Sequence, residues 1–173
     1  MEPTPSEAYT TLAEALCYPA PGRLDALRRG QAALPKGAAI DAFPGFLAGI
    51  GRLSPGAWEE LYTRTLDLNP PAAPYIGYQT WGESYPRGTF LAKMNRALAS
   101  AGVDAGCELP DHLAPCLRYL AATADPLPEL VEVLRPALER MLAALRQVEP
   151  DNPYVRLLEA VQALCPSSEK EAA

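Results

Sequence analysis

The residues best suited to chemistry lie in two short stretches. The first, Asp67 to Gly88, reads D-L-N-P-P-A-A-P-Y-I-G-Y-Q-T-W-G-E-S-Y-P-R-G. It holds three of the eight tyrosines (Tyr75, Tyr78, Tyr85), one of the two tryptophans (Trp81) and the charges Asp67, Glu83 and Arg87. The second, Glu108-Leu-Pro-Asp111-His112-Leu113, carries the single histidine of the chain. Tyr75, Tyr78 and Trp81 are large amphipathic rings that suit core filling under a loop or the wall of a peptide groove. Asp111, close behind Pro110, would stabilise a helix N-terminus by ~0.3–1 kcal/mol. On a helix, His112 would sit about 20° from Tyr119 and about 40° from Cys116, at the edge of a Leu113/Leu117/Leu120 stripe. It reads either as a half-buried packing residue or, with Asp111, as a polar pair at the rim of an apolar groove. Asp67 stands near a helix end, where a negative charge opposes the macrodipole, so local stability does not account for it. Its expected partner is Arg87, the two tying the ends of the stretch together, with Glu83 as a further loop-positioning residue.

Other chemistries find little support. The four cysteines (Cys17, Cys107, Cys116, Cys165) are scattered without a C-x-x-C pair. With one histidine they make no zinc set of usual spacing, and they read as reduced, small apolar residues. There is no G-x-x-x-x-G-K-[ST] phosphate loop, and Gly49-Ile-Gly51 lacks the third glycine of a dinucleotide loop. No G-x-S-x-G elbow supports a meeting of Ser84 with His112. No catalytic residue, metal ligand or cofactor is assigned. The enzymatic alternative is a small hydrolase using His112 with Asp111 or Glu83; a third reading is a helical adaptor subunit.

Charge narrows the partners. The net charge of −6, from 15 basic and 21 acidic residues, argues against nucleic acid, whose phosphates demand basic clusters. Between Ala101 and Glu132 six acidic residues (Asp104, Glu108, Asp111, Asp125, Glu129, Glu132) face one basic residue, Arg118. That is either a solvated face or a docking surface for a cationic partner. No run of about 18 apolar residues is present, so stable membrane insertion is not expected. The opening M-E-P-T-P-S-E lacks the basic-then-apolar order of a secretory signal, which points to the cytoplasm.

The elements that must position these residues are helical. Ser6 is the expected first N-cap, followed by Tyr9, Leu12, Ala13 and Leu16 at helical spacing. Tyr18-Pro-Ala-Pro-Gly22 separates that helix from one carrying Leu24 and Leu27, and a further helix is expected over Ile40 to Ile50. Ser54-Pro55 starts a helix with Trp58, Leu61, Tyr62 and Leu66 on one face; Pro70, Pro71 and Pro74 stop it after Leu68. Phe90, Leu91, Met94 and Leu98 mark a helix after Pro86, ended by Gly102. Leu109-Pro110-Asp111 opens the next, with regular helix from Pro115. A long helix follows Pro126 and Pro128, with Pro136 expected to kink it. Asn152-Pro153 caps the last. With no β-alternation of any length, the fold class is all-α: a single-domain helical bundle of about seven to nine helices with a long aromatic and proline-rich crossover loop. The domain spans 1–166 and 167–173 reads as a solvated tail.

These residues also carry a resemblance. The order Tyr62-x-x-x-Leu66-Asp67, Tyr75-x-x-Tyr78, Gly82-Glu83, Arg87-Gly88 and Glu108-Leu-Pro-Asp111-His112-Leu113 resembles the NarJ/TorD family of molybdoenzyme maturation chaperones, nearest the nitrate reductase assembly branch. The match covers roughly Trp58 to Ala122. Leu66 stands where that branch usually has phenylalanine, and Gln79-Thr80-Trp81 replaces a common histidine-bearing segment. The resemblance implies a non-catalytic, cytoplasmic, all-helical chaperone, monomeric or homodimeric. Such a protein binds the N-terminal twin-arginine or remnant segment of a molybdopterin oxidoreductase catalytic subunit and holds it for molybdenum cofactor insertion. Molybdenum cofactor biosynthesis proteins are further implied partners. The candidate client-binding residues are Tyr75, Tyr78, Trp81, Glu108, Asp111 and His112.

Overall fold

Nine α-helices, and no strand, make up the described residues of the computed structural model, which are 4–37 and 41–166. The expected tail and Ile40 lie outside them. In chain order the helices are α1 (Pro5–Ala15), α2 (Arg23–Gly30), α3 (Ala42–Gly51), α4 (Pro55–Tyr62), α5 (Ile76–Trp81), α6 (Tyr85–Ser100), α7 (Leu113–Ala122), α8 (Pro128–Val148) and α9 (Pro153–Leu164). None of them is long and apolar enough to cross a membrane.

Local sequence chemistry sets most of the starts. Ser54 and Asn152 accept hydrogen bonds from Ala57 N and Tyr154 N, each followed by proline at the first helical position. The first helix starts two residues before the expected Ser6, because Thr4 closes a capping box with Glu7. α3 tolerates Pro44 and Gly45 because the proline falls in the first turn, where no intrahelical N–H bond is lost. Pro136 lies on the exposed face of α8, and the helix runs on through it.

α1 packs along α7, α3 along α9, and α8 against α5 and α9. Leu130, Leu134, Leu138, Met141, Leu142 and Leu145 of α8 are buried as one stripe. Tyr154 is wholly buried and accepts a hydrogen bond from Trp58 Nε1 at 3.1 Å. Tyr62 donates to the Leu16 carbonyl at 3.2 Å, tying α4 to the end of α1.

The expected long loop is more ordered than its prolines suggest. α4 does not end at Tyr62 but widens into a π-helical turn over Thr63–Asp67, closed by Leu68 N donating to Thr63 O at 2.9 Å. The wide turn buries Thr65, whose hydroxyl accepts from Asn152 Nδ2 at 2.9 Å. A 3-10 turn, Pro70–Ala72, follows, and the aromatic run then forms α5.

Candidate functional site

The two chemically rich stretches meet. Pro74 and Tyr75 run extended, antiparallel to Asp111–Leu113, in an isolated bridge between Tyr75 and His112. Ile76 N donates to Asp111 O at 2.8 Å and Leu113 N to Pro74 O at 2.7 Å. This backbone clasp fixes α5 against the entrance of α7.

Beneath the clasp lies a charge pair. Asp111 is fully buried and grips Arg87 of α6 with both oxygens, Oδ2 to Nε at 3.0 Å and Oδ1 to Nη2 at 3.4 Å. The guanidinium also lies over the rings of Tyr75 and Tyr78, 5.8 and 5.5 Å from their centroids. Such a pair needs its backbone neighbours close, and Gly77 supplies the room. A Cβ at Gly77 would stand 2.7 Å from Asp111 Oδ2 and 3.2 Å from Arg87 Cγ. Glycine is required here for space rather than for a left-handed φ.

The expected Asp67–Arg87 tie is therefore not formed. Arg87 faces a carboxylate that has no water to solvate it, and Asp111 in the interior outcompetes an exposed Asp67 for the guanidinium. Asp111 consequently does not sit at a polar rim. Nor does His112 lie on a helical face, or at a rim: at 3 % exposure it is the N-cap of α7. Its Nδ1 accepts from Ala114 N at 3.1 Å, leaving the proton on Nε2, and its ring meets that of Tyr75 edge-on at 5.1 Å. Burial lowers the pKa of His112, outweighing the upward pull of Glu108 and Asp111. With His112 capping a helix and Asp111 holding Arg87, the pair is not arranged as the base and orienting carboxylate of a hydrolase. Ser84 donates its hydroxyl to the Trp81 carbonyl instead.

What remains at the surface is a second set. Tyr75 OH donates to Glu108 Oε2 at 2.8 Å, and burial together with that bond raises the tyrosine pKa. Asp67, carried on the π-helical turn, also has a raised pKa, from partial burial first and the charge of Glu108 second. Asp67 has no cation partner among the described residues, so two carboxylates share this edge uncompensated. Tyr78 is half-buried and shares the Arg87 guanidinium with Tyr75, Trp81 leans on Phe90 at 5.1 Å between ring centroids, and Glu83 is exposed. Gln79 pins the preceding turn by donating to the carbonyls of Pro71 and Ala73.

The acidic run from Ala101 to Glu132 does not form one face. Asp111 is inside, Glu129 is paired with Lys93 at 2.6 Å, and Arg118 turns to Glu14 and the Cys17 sulfur. The chain folds this run around two helix entrances, which separates charges that are neighbours in sequence. All four cysteines are free thiols, and among the described residues no cluster of His, Cys, Asp and Glu is placed to hold a metal ion.

The sequence profile of the nitrate reductase delta subunit family matches residues 31–157, more than two thirds of the chain. The chain belongs to this family. Members of this delta family are molybdoenzyme assembly chaperones of the NarJ/TorD type rather than catalysts. The match takes in both halves of the clasp, Pro74–Tyr75 and Asp111–Leu113, so the site lies inside the shared region of the delta family. No curated protein matches the chain.

Two features of this site were not specified by the sequence. From the sequence, Gly77 reads as a site of tight backbone packing or positive φ; which of the two, and its contacts with Asp111 and Arg87, 34 and 10 positions away, no local pattern reports. The π-helical turn at Thr63–Asp67 carries no breaker of its own; its only trace was the misplaced charge of Asp67 at a helix end.

Proposed function

We propose that this protein holds the N-terminal segment of a molybdoenzyme catalytic subunit at the Tyr75–Tyr78–Glu108–Asp67 edge until the molybdenum cofactor is inserted and the complex assembles. The observation that carries this reading is the pair of uncompensated carboxylates, Asp67 and Glu108, beside rings already stacked on Arg87. The Arg87 guanidinium is spent on Asp111, so the edge attracts a cation from outside. A twin-arginine or remnant segment supplies one, since an arginine fork matches a carboxylate in two hydrogen bonds. Glu108 has acceptor capacity beyond its bond from Tyr75. Asp111, His112, Arg87 and Gly77 act from below as positioning residues, while Trp81 supports α5 through Phe90. The apolar part of the client lies on the rings, which carry more affinity than exposed charge pairs worth ~0–1 kcal/mol each. The same reading places the protein in the cytoplasm, where cofactor is loaded, with cofactor biosynthesis proteins as further partners.

Titration calorimetry with the N-terminal peptide of a molybdoenzyme catalytic subunit from the same organism tests the proposal. Saturable heat is expected, weakened by Asp67→Asn and by Glu108→Gln, and weaker in high salt. No heat and no shift in unfolding temperature at high peptide concentration would overturn it.

A further inference from the structure

We infer that the outward face of α4 is a second docking surface, built for a cationic, amphipathic helical segment of a partner protein. The inference stands apart from the client reading. Three grooves of about 430, 370 and 420 Å³ surround this helix. They are parts of one depression: Glu59 lines the first and second, Glu60 and Arg64 the second and third, and Leu53 the third and first. Trp58 and Ile50 help form the apolar wall of the first groove.

Large apolar side chains stand exposed around the depression. Tyr18, Leu53 and Leu68 border it, at 50 %, 36 % and 74 % exposure, and they are half of the large hydrophobics left in solvent among the described residues. A lone exposed apolar side chain is ordinary, but three around continuous grooves mark an interaction surface. Their exposure is not a by-product of disorder in the fold. Tyr18 is held edge-on against Tyr62 at 5.3 Å, and Leu68 is fixed by its N–H bond into the π-helical turn. α4 is already capped by Ser54 and anchored through Trp58 and Tyr62, so the bundle makes no use of this face.

Charge names the occupant. The grooves are lined by five acidic side chains, Asp25, Glu59, Glu60, Glu149 and Asp151, against two basic ones. Both basic groups are engaged, Arg28 with Asp25 and Arg64 with Glu149. Glu59 and Glu60, one on each side of the exposed ridge of α4, have no cation partner among the described residues. A helix crossing α4 would seat apolar residues at i, i+4 and i+7 in the grooves, and lysines or arginines flanking them would meet Glu59 and Glu60. An acidic or uncharged apolar helix would leave those carboxylates desolvated without compensation.

The test uses the full chain and a synthetic helical peptide of about 15 residues, with leucines on one face and lysines on the other, and a second peptide with glutamate in place of lysine. Fluorescence anisotropy is expected to show saturable binding of the lysine peptide alone. The double change Glu59→Lys with Glu60→Lys is expected to weaken it roughly ten-fold, and Leu53→Glu to weaken it too. Tyr75→Ala, at the client site, is expected to leave it unchanged. Thermal melts of each variant confirm folding, and Glu59→Gln with Glu60→Gln gives an intermediate loss if charge is the cause. Equal binding of both peptides, no binding of the lysine peptide, or binding indifferent to the α4 changes would overturn the inference. Failure of the client peptide alone would strike only the client proposal.

Discussion

Asp111 and Asp67 are both carboxylates within the same small region, and they have opposite fates. Asp111 is sealed from solvent and matched to Arg87 in two contacts, while Asp67 stands at the surface facing another carboxylate, Glu108. The first is a latch whose loss costs the fold stability. The second is a standing electrostatic cost that the fold gains nothing from. Charge placed against local stability is what a binding edge requires, because a partner's cation then relieves a penalty already present. The contrast separates the residues that hold this region together from those the proposed client would meet.

The sharpest way to break this contrast is to remove the latch. Arg87→Ala leaves Asp111 buried and unpaired, and a loss of about 3 kcal/mol is expected in denaturant unfolding, the low end of the usual range because Arg87 keeps an edge in solvent. Arg87→Lys should recover only part, since an ammonium cannot reproduce the forked contact. Gly77→Ala comes next, at about 1–3 kcal/mol, because the added methyl collides with Asp111 and Arg87. An unchanged melting temperature in either variant would deny the latch its structural role.

The pH dependence tests the imidazole beneath the edge. His112 is held neutral by burial, so its folded pKa lies below the ordinary 6.5. As pH falls through that ordinary value the unfolded chain takes up a proton that the folded chain refuses, and stability drops. His112→Asn, whose amide oxygen can still accept from Ala114 N, should flatten the slope between about pH 7 and 5 while keeping the helix cap. A slope that survives the substitution assigns it elsewhere.

The smallest effect on stability sharpens the other side. Asp67 has a raised folded pKa, so its contribution is favourable at low pH and lost as pH rises above the ordinary 3.8. Asp67→Asn is expected to leave stability unchanged or raise it by a few tenths of a kcal/mol, removing a charge that opposes the helix dipole, and at the same time to weaken the client peptide. A clear loss of stability would show that Asp67 is structural after all.

Much of the fold was legible from local chemistry. Ser54-Pro55, Asn152-Pro153 and Gly102 marked helix ends, and Phe90, Met94 and Leu98 of α6 are buried at the spacing read from the sequence. Thr4 displaced Ser6 as a cap because a capping box needs Glu three residues on, and Thr4 has it in Glu7. The two halves of the site were legible too, through the residues that resemble the NarJ/TorD pattern.

By itself the sequence determined the helical class and most helix ends and marked the two stretches of the candidate site, because caps, prolines and apolar periodicity act within a few positions of themselves. Only the tertiary structure decided which aspartate Arg87 would hold, whether His112 would ride a helix or cap one, and why residue 77 is glycine. Those outcomes turn on burial and on distances between segments far apart in the chain. The energy of a charge depends on how much water it keeps, and water is excluded by the whole fold rather than by neighbours in sequence.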